Sequence, residues 1–83
     1  MKLWLEVEDD RKIHYYPCNV SLEKGTAFIA NLKTKEYFDV KNCEVHINES
    51  YISIVGYVHL AEKANDRYLY QLKGFYFHPR KPK

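Results

Sequence analysis

Apolar and polar side chains alternate along most of this chain, the two-residue period of extended strands with one buried face. In LWLEVE, Leu3, Leu5 and Val7 fall on one side, and Trp4, Glu6 and Glu8 on the other. The polar run from Glu8 to Lys12 reads as a turn, and IHYYPC returns as a second strand. Pro17 should end or bulge that strand, because it has no N–H to give to a ladder. YFDVKNCEVHI continues as strand, with an irregularity expected at Lys41 and Asn42. NES makes a tight turn, and YISIVGYVHL is the cleanest alternation. There Ile52, Ile54, Val58 and Leu60 face one way, and Tyr51, Ser53, Val55, Tyr57 and His59 the other. Gly56 lies on the aliphatic face and marks a kink or the close approach of another backbone.

Residues 21–32 are ambiguous. Ser21 or Thr26 could cap a short helix carrying Leu22, Phe28, Ile29 and Leu32, but Gly25 interrupts it. TAFIANL followed by KTK and EYFDV reads instead as a hairpin, with a short helix as its alternative. AEKANDR, residues 61–67, is expected to be a loop or a single helical turn. RYLYQLKGFYFH is the last long strand. Its even positions Tyr68, Tyr70, Leu72, Tyr76 and His78 share one face, and its odd positions Leu69, Gln71, Lys73, Phe75 and Phe77 the other. Neither face is polar throughout, so this strand should be core first and contact surface second.

Six or seven short strands joined by tight turns predict a mainly β fold, a small antiparallel meander that is barrel-like or a curved sheet. The domain spans residues 1–78, and PRKPK (79–83), with its two prolines, is expected to be a flexible basic tail.

With 83 residues the chain has room for one domain. A domain of this size buries about 60% of the surface its unfolded chain exposes, which leaves little space for a deep active site. Aromatics make up 16%, eight of them Tyr, which suggests half-buried surfaces or a contact face. The net charge of +2 is weak for a nucleic-acid binder. Lys far outnumbers Arg, which occurs at Arg11, Arg67 and Arg80 alone. That ratio counts against bidentate reading of DNA bases. The apolar run from Leu3 to Val7 is broken by Glu6, too short and too charged for a signal peptide, and no stretch would span a membrane. A cytoplasmic protein with reduced thiols is the expectation.

His14, Cys18, Cys43 and His46 supply the ligand types of a structural zinc site. Yet Cys43 and His46 would point to opposite faces of a regular strand, and no C-x-x-C knuckle is present, so the expectation is no metal and no cofactor. Glu6, Glu8, Asp9 and Asp10 form the one acidic cluster and read as a solvated turn. No nucleophile elbow, phosphate loop or H-E-x-x-H occurs, and His59 and His78 lie too far apart in a simple register to act together. The chain therefore reads as a non-enzyme.

What remains is a small binding protein acting stoichiometrically on a protein partner through a Tyr-rich sheet face or an edge strand. In type, though in no motif, it resembles the accessory proteins of phages and mobile elements, anti-CRISPR proteins among them, which block a host enzyme by occupying its surface. The candidate contact residues are Tyr57, Tyr68, Tyr70, Lys73, Tyr76, Arg80, Lys81 and Lys83. The same residues serve the alternative, a small barrel that stacks single-stranded nucleic acid on Tyr side chains beside basic groups. A small ribonuclease using His59 or His78 is the third reading, and pairing of two copies through an exposed edge is compatible with the first.

Overall fold

In the computed structural model, residues 1–64 and 67–83 are described, except for the side chains of residues 60–69. Six strands follow one another: β1 (Lys2–Asp9), β2 (Lys12–Glu23), β3 (Thr26–Asn31), β4 (Tyr37–Ile47), β5 (Ile52–Ala64) and β6 (Arg67–His78). Each pairs antiparallel with the next, and β6 returns to β1, so the meander closes into a barrel. Residues 21–32 hold no helix: β2 runs to Glu23, the two-residue turn Lys24–Gly25 follows with Gly25 at φ 72°, and β3 begins at Thr26. Glycine adopts that left-handed backbone at no steric cost.

Alternation dictates what fills the barrel. Leu3 and Leu5 of β1, Cys18 and Val20 of β2, Ala27 and Ile29 of β3, Val40 of β4, Ile54 and Val58 of β5, and Phe75 and Phe77 of β6 form one buried cluster. Small barrels are filled in this way by inward side chains and hold no channel. Among the described residues no helix is long and apolar enough to cross a membrane.

The turns follow local chemistry. Asp10 and Arg11, at φ 48° and 64°, form the two-residue β1–β2 turn. Both central residues with positive φ match the right-handed twist of the flanking strands. The side-chain oxygen of buried Asn31 accepts from the N–H groups of Lys33 and Thr34 (3.0 and 3.1 Å) and shapes the β3–β4 loop. Asn48 does the same for Ser50 and Tyr51 between β4 and β5.

Among the described residues two irregularities interrupt the ladders. On β4, Asn42 and Cys43 together oppose Gly56 of β5, with Asn42 at φ 50°. This is the bulge expected at Lys41–Asn42, and Cys43 N–H donates to Gly25 O (3.1 Å), which ties it to the β2–β3 turn. A Cβ on Gly56 would lie 2.6 Å from Val40 Cγ1 and 2.8 Å from Lys41 O. Close backbone approach is therefore the reason for this glycine.

The second irregularity falls between His59 and Lys63, where residues 60–62 oppose residue 69. It corrects the reading of 61–67 as a loop or helical turn. β5 runs through it to Ala64 and β6 begins at Arg67, residues 65–66 lying outside the described ones, and the unequal count on the two strands hides the alternation. The last pairing of β4 with β5 is Val40 with Val58, so β5 and β6 continue beyond it as a two-stranded ribbon.

Candidate functional site

Parity places the two faces of β6 in different environments. Phe75 and Phe77 point inward and are buried, whereas Tyr70, Leu72 and Tyr76 point outward and are 56%, 59% and 51% exposed. The register sets Tyr57 of β5 beside Leu72, His59 beside Tyr70, and Ser53 beside Tyr76. Tyr57, 44% exposed, therefore joins the others on the outer face of the β5–β6 hairpin. The rings of His59 and Tyr70 lie 5.3 Å apart, and those of Tyr51 and Tyr76 5.7 Å.

The charges bordering this face are mixed. Lys41 pairs with Tyr57 across the β4–β5 ladder and forms an ion pair with Asp39 (3.5 Å). Asp39 Oδ1 is buried and accepts no hydrogen bond within the described protein, so Lys41 is its compensation. On the other flank Glu6 pairs with Tyr76, and its carboxylate accepts from His78 Nε2 at 2.9 Å. The ring of Tyr15 meets His78 edge-on at 5.6 Å.

The remaining candidates are dispersed. Lys73 lies on the inward side of β6, with its ammonium 4.9 Å from the centroid of Phe38 and 5.4 Å from that of Phe75, so it does not join the Tyr face. Lys81 lies over Trp4 (5.5 Å) and Pro82 is half-buried, which folds part of the tail back against β1. Arg80 and Lys83 are exposed. The side chain of Tyr68 lies outside the described residues. Leu72, Tyr51 and Lys41 are members of this face that composition alone did not single out. The signal for them is the β5–β6 and β4–β5 register, which depends on knowing that β4 bulges at Asn42.

His59 opposes Tyr70 and His78 opposes Trp4, so the two histidines occupy different parts of the fold. Cys18 is fully buried on β2 beside Leu3 and Asn31, while Cys43 is half-buried in the β4 bulge. Among the described residues no three His, Cys, Asp or Glu side chains converge as metal ligands would. Burial pushes the Cys18 thiol above the ordinary range, opposed by a hydrogen bond to the Leu5 backbone. Such a thiol is held neutral and is a poor nucleophile.

A cleft opens where β1 and β6 part. Their pairing is confined to Trp4–Glu6 with Tyr76–His78. Beyond it Val7–Asp9 pair only with β2, and a cavity of about 380 Å³ is lined there by Val7 and Glu8 of β1, by Lys73, Gly74 and Phe75 of β6, and by Thr34 and Glu36 of the β3–β4 loop. Comparison with protein-family models, with curated proteins and with solved structures finds no match to this chain.

Proposed function

We propose that this protein is a non-catalytic binding protein that acts stoichiometrically on a protein partner through the outer face of the β5–β6 hairpin. The observation that carries the reading is the row of half-exposed Tyr57, Tyr70, Leu72 and Tyr76 on a hairpin whose alternate residues are the core. Tyr offers large contact area at little cost in side-chain entropy, which is why it concentrates in interface hot spots. Glu6 on one flank and Lys41 on the other make the border mixed in sign, as protein interfaces commonly are, rather than uniformly basic. Blocking a host enzyme by surface occupation, as small phage and mobile-element inhibitors do, fits this mode of action.

The test is affinity capture from a lysate of the source cells, run in parallel with a Tyr57→Ser/Tyr70→Ser variant. Both rings are exposed, so the variant should keep its thermal stability. A partner held at a one-to-one ratio by the natural chain, and at least about tenfold more weakly by the variant, is the expected outcome. Equal retention by both overturns the reading.

A second reading rests on the concavity lined by Lys41, Asn42, Tyr57 and Tyr70. Unpaired bases could stack on its two Tyr rings, at about 1–3 kcal/mol per base, with a phosphate on Lys41. Fluorescence anisotropy of labelled single-stranded RNA and DNA at about 50 and about 200 mM salt decides it. Saturable binding that weakens steeply with salt supports this second reading, and no binding at the lower salt removes it.

A further inference from the structure

We infer that the open edge of β6 at Leu72–Phe75 takes an extended, basic segment of the partner protein as an added strand, with an aromatic side chain of that segment lying over Gly74. The inference rests on the protein-binding reading above and adds the partner's conformation and charge. Beyond Tyr76 the β1 side of β6 has no ladder partner among the described residues, because β1 turns away with β2. Backbone groups left free in this way are a template for strand addition.

Gly74 supplies an independent indication. The space for its Cβ is open, with Val55 Cγ2 at 3.7 Å as the sole neighbour within 4 Å, and its φ is not in the left-handed region. The fold therefore does not require glycine there, in contrast to Gly56. Its lack of a side chain leaves a notch in the outer face between exposed Leu72 and Tyr76. Glycine inside a strand marks the approach of another backbone, and an aromatic ring from a neighbouring strand covers such a position well.

Charge selects the occupant. The cleft is lined by Glu8 and Glu36 against the single cation Lys73, and by Glu6, whose carboxylate is already bonded to His78; two carboxylates to one ammonium remain, which favours a basic segment. A second copy is the poorer occupant. Antiparallel pairing of two β6 edges about an axis near Lys73 would set that inward-pointing ammonium beside its own equivalent, a known block to edge pairing.

The probe is an acetylated, amidated octapeptide alternating Lys with Phe and Val, titrated into ¹⁵N-labelled protein. The expected result is saturable shifts confined to the amides of Val7–Asp9 and Tyr70–Phe75. Binding should weaken at least about tenfold when Glu replaces Lys in the peptide, and should vanish when alternate peptide nitrogens on the pairing edge are methylated. Gly74→Val should weaken binding while leaving the melting temperature unchanged or higher. An N-methylated peptide that binds as well, shifts confined to Tyr57 and the outer face, or no shift at millimolar peptide each overturn the inference. So do concentration-dependent shifts of the β6 edge without peptide, which would identify a second copy as the occupant. If the captured partner is lost on the Tyr substitutions while the octapeptide fails, the face reading stands and the edge inference falls. If the octapeptide binds as expected and no partner is captured, the edge is competent and the face reading is what has failed.

Discussion

Gly56 and Gly74 lie one register position apart in the pairing of β5 with β6, yet they answer to different causes. A Cβ at Gly56 would press on the Lys41 carbonyl and the Cys43 Cα, atoms of a bulged backbone that cannot swing aside as a side chain could. Overpacking of this kind costs about 1–3 kcal/mol, so Gly56→Ala should lower stability by about 2 kcal/mol in urea unfolding. Gly74→Ala should be neutral or stabilising by about 0.5–1 kcal/mol, since glycine in a strand carries an entropic penalty and the added methyl meets no close atom. Equal destabilisation by the two substitutions would refute the distinction. Cys18 gives the fold a pH dependence of definite sign. Burial raises its thiol pKa above that of the unfolded chain, despite the opposing Leu5 hydrogen bond. Below about pH 8.5, the unfolded thiol's pKa, both states keep the proton and Cys18 contributes no slope. Above it the unfolded chain releases a proton that the folded chain retains, so stability falls by up to about 1.4 kcal/mol per pH unit until the folded thiol also ionises. Denaturation between pH 7 and 10 should show this alkaline loss, and Cys18→Ala should reduce its steepness.

At the level of elements, the β1–β2 turn holds two ordinary residues in a conformation that suits glycine and asparagine. Asp10 tolerates the left-handed region, but Arg11 at φ 64° does so at about 1–2 kcal/mol. Asp10→Asn/Arg11→Gly should stabilise by about 0.5 kcal/mol net, because the added freedom of glycine in the unfolded chain offsets part of the relief. In a domain of this size that is a rise of about 2–4 °C in melting temperature, measurable by calorimetry, and a fall would contradict the turn geometry. This turn was legible as EDDRK, and so was every strand whose apolar period ran unbroken, including the inward and outward rows of β6. The bulge at Asn42 was legible as well, from a polar pair inside an apolar run. Residues 61–67 were not, because three residues opposing one destroy the two-residue period that sequence reading depends on. The outer Tyr face was half legible. Parity alone separates Lys73 from Tyr70 and Tyr76, but the meetings of Tyr51 with Tyr76, Tyr15 with His78 and Lys81 with Trp4 depend on strand register and on closure of the barrel. None of these is written in local alternation.

Closure also gives the molecule its most distant contacts. Five of the six strand pairings join neighbours in sequence, whereas the Glu6–His78 bond spans 72 residues. Loop-closure entropy makes such a contact slow to form unless others have already brought its ends together. The β1–β6 seam is short, and what secures it is packing: Phe77, opposite Leu5, is fully buried, and the Glu6–His78 bond with the Tyr15 ring seals its outer side. The hairpins should therefore form first and the seam last. Phe77→Leu tests this order, because it removes ring contacts at the seam without emptying the site and should cost about 1–1.5 kcal/mol. If the seam closes after the main folding barrier, that loss will appear almost wholly as faster unfolding, with a φ-value below about 0.3. Ile29→Val, between β2 and β4 in the middle of the meander, should give a clearly higher value. A φ-value at Phe77 equal to or above that at Ile29 would mean that the termini meet early, and that closure guides the meander instead of completing it.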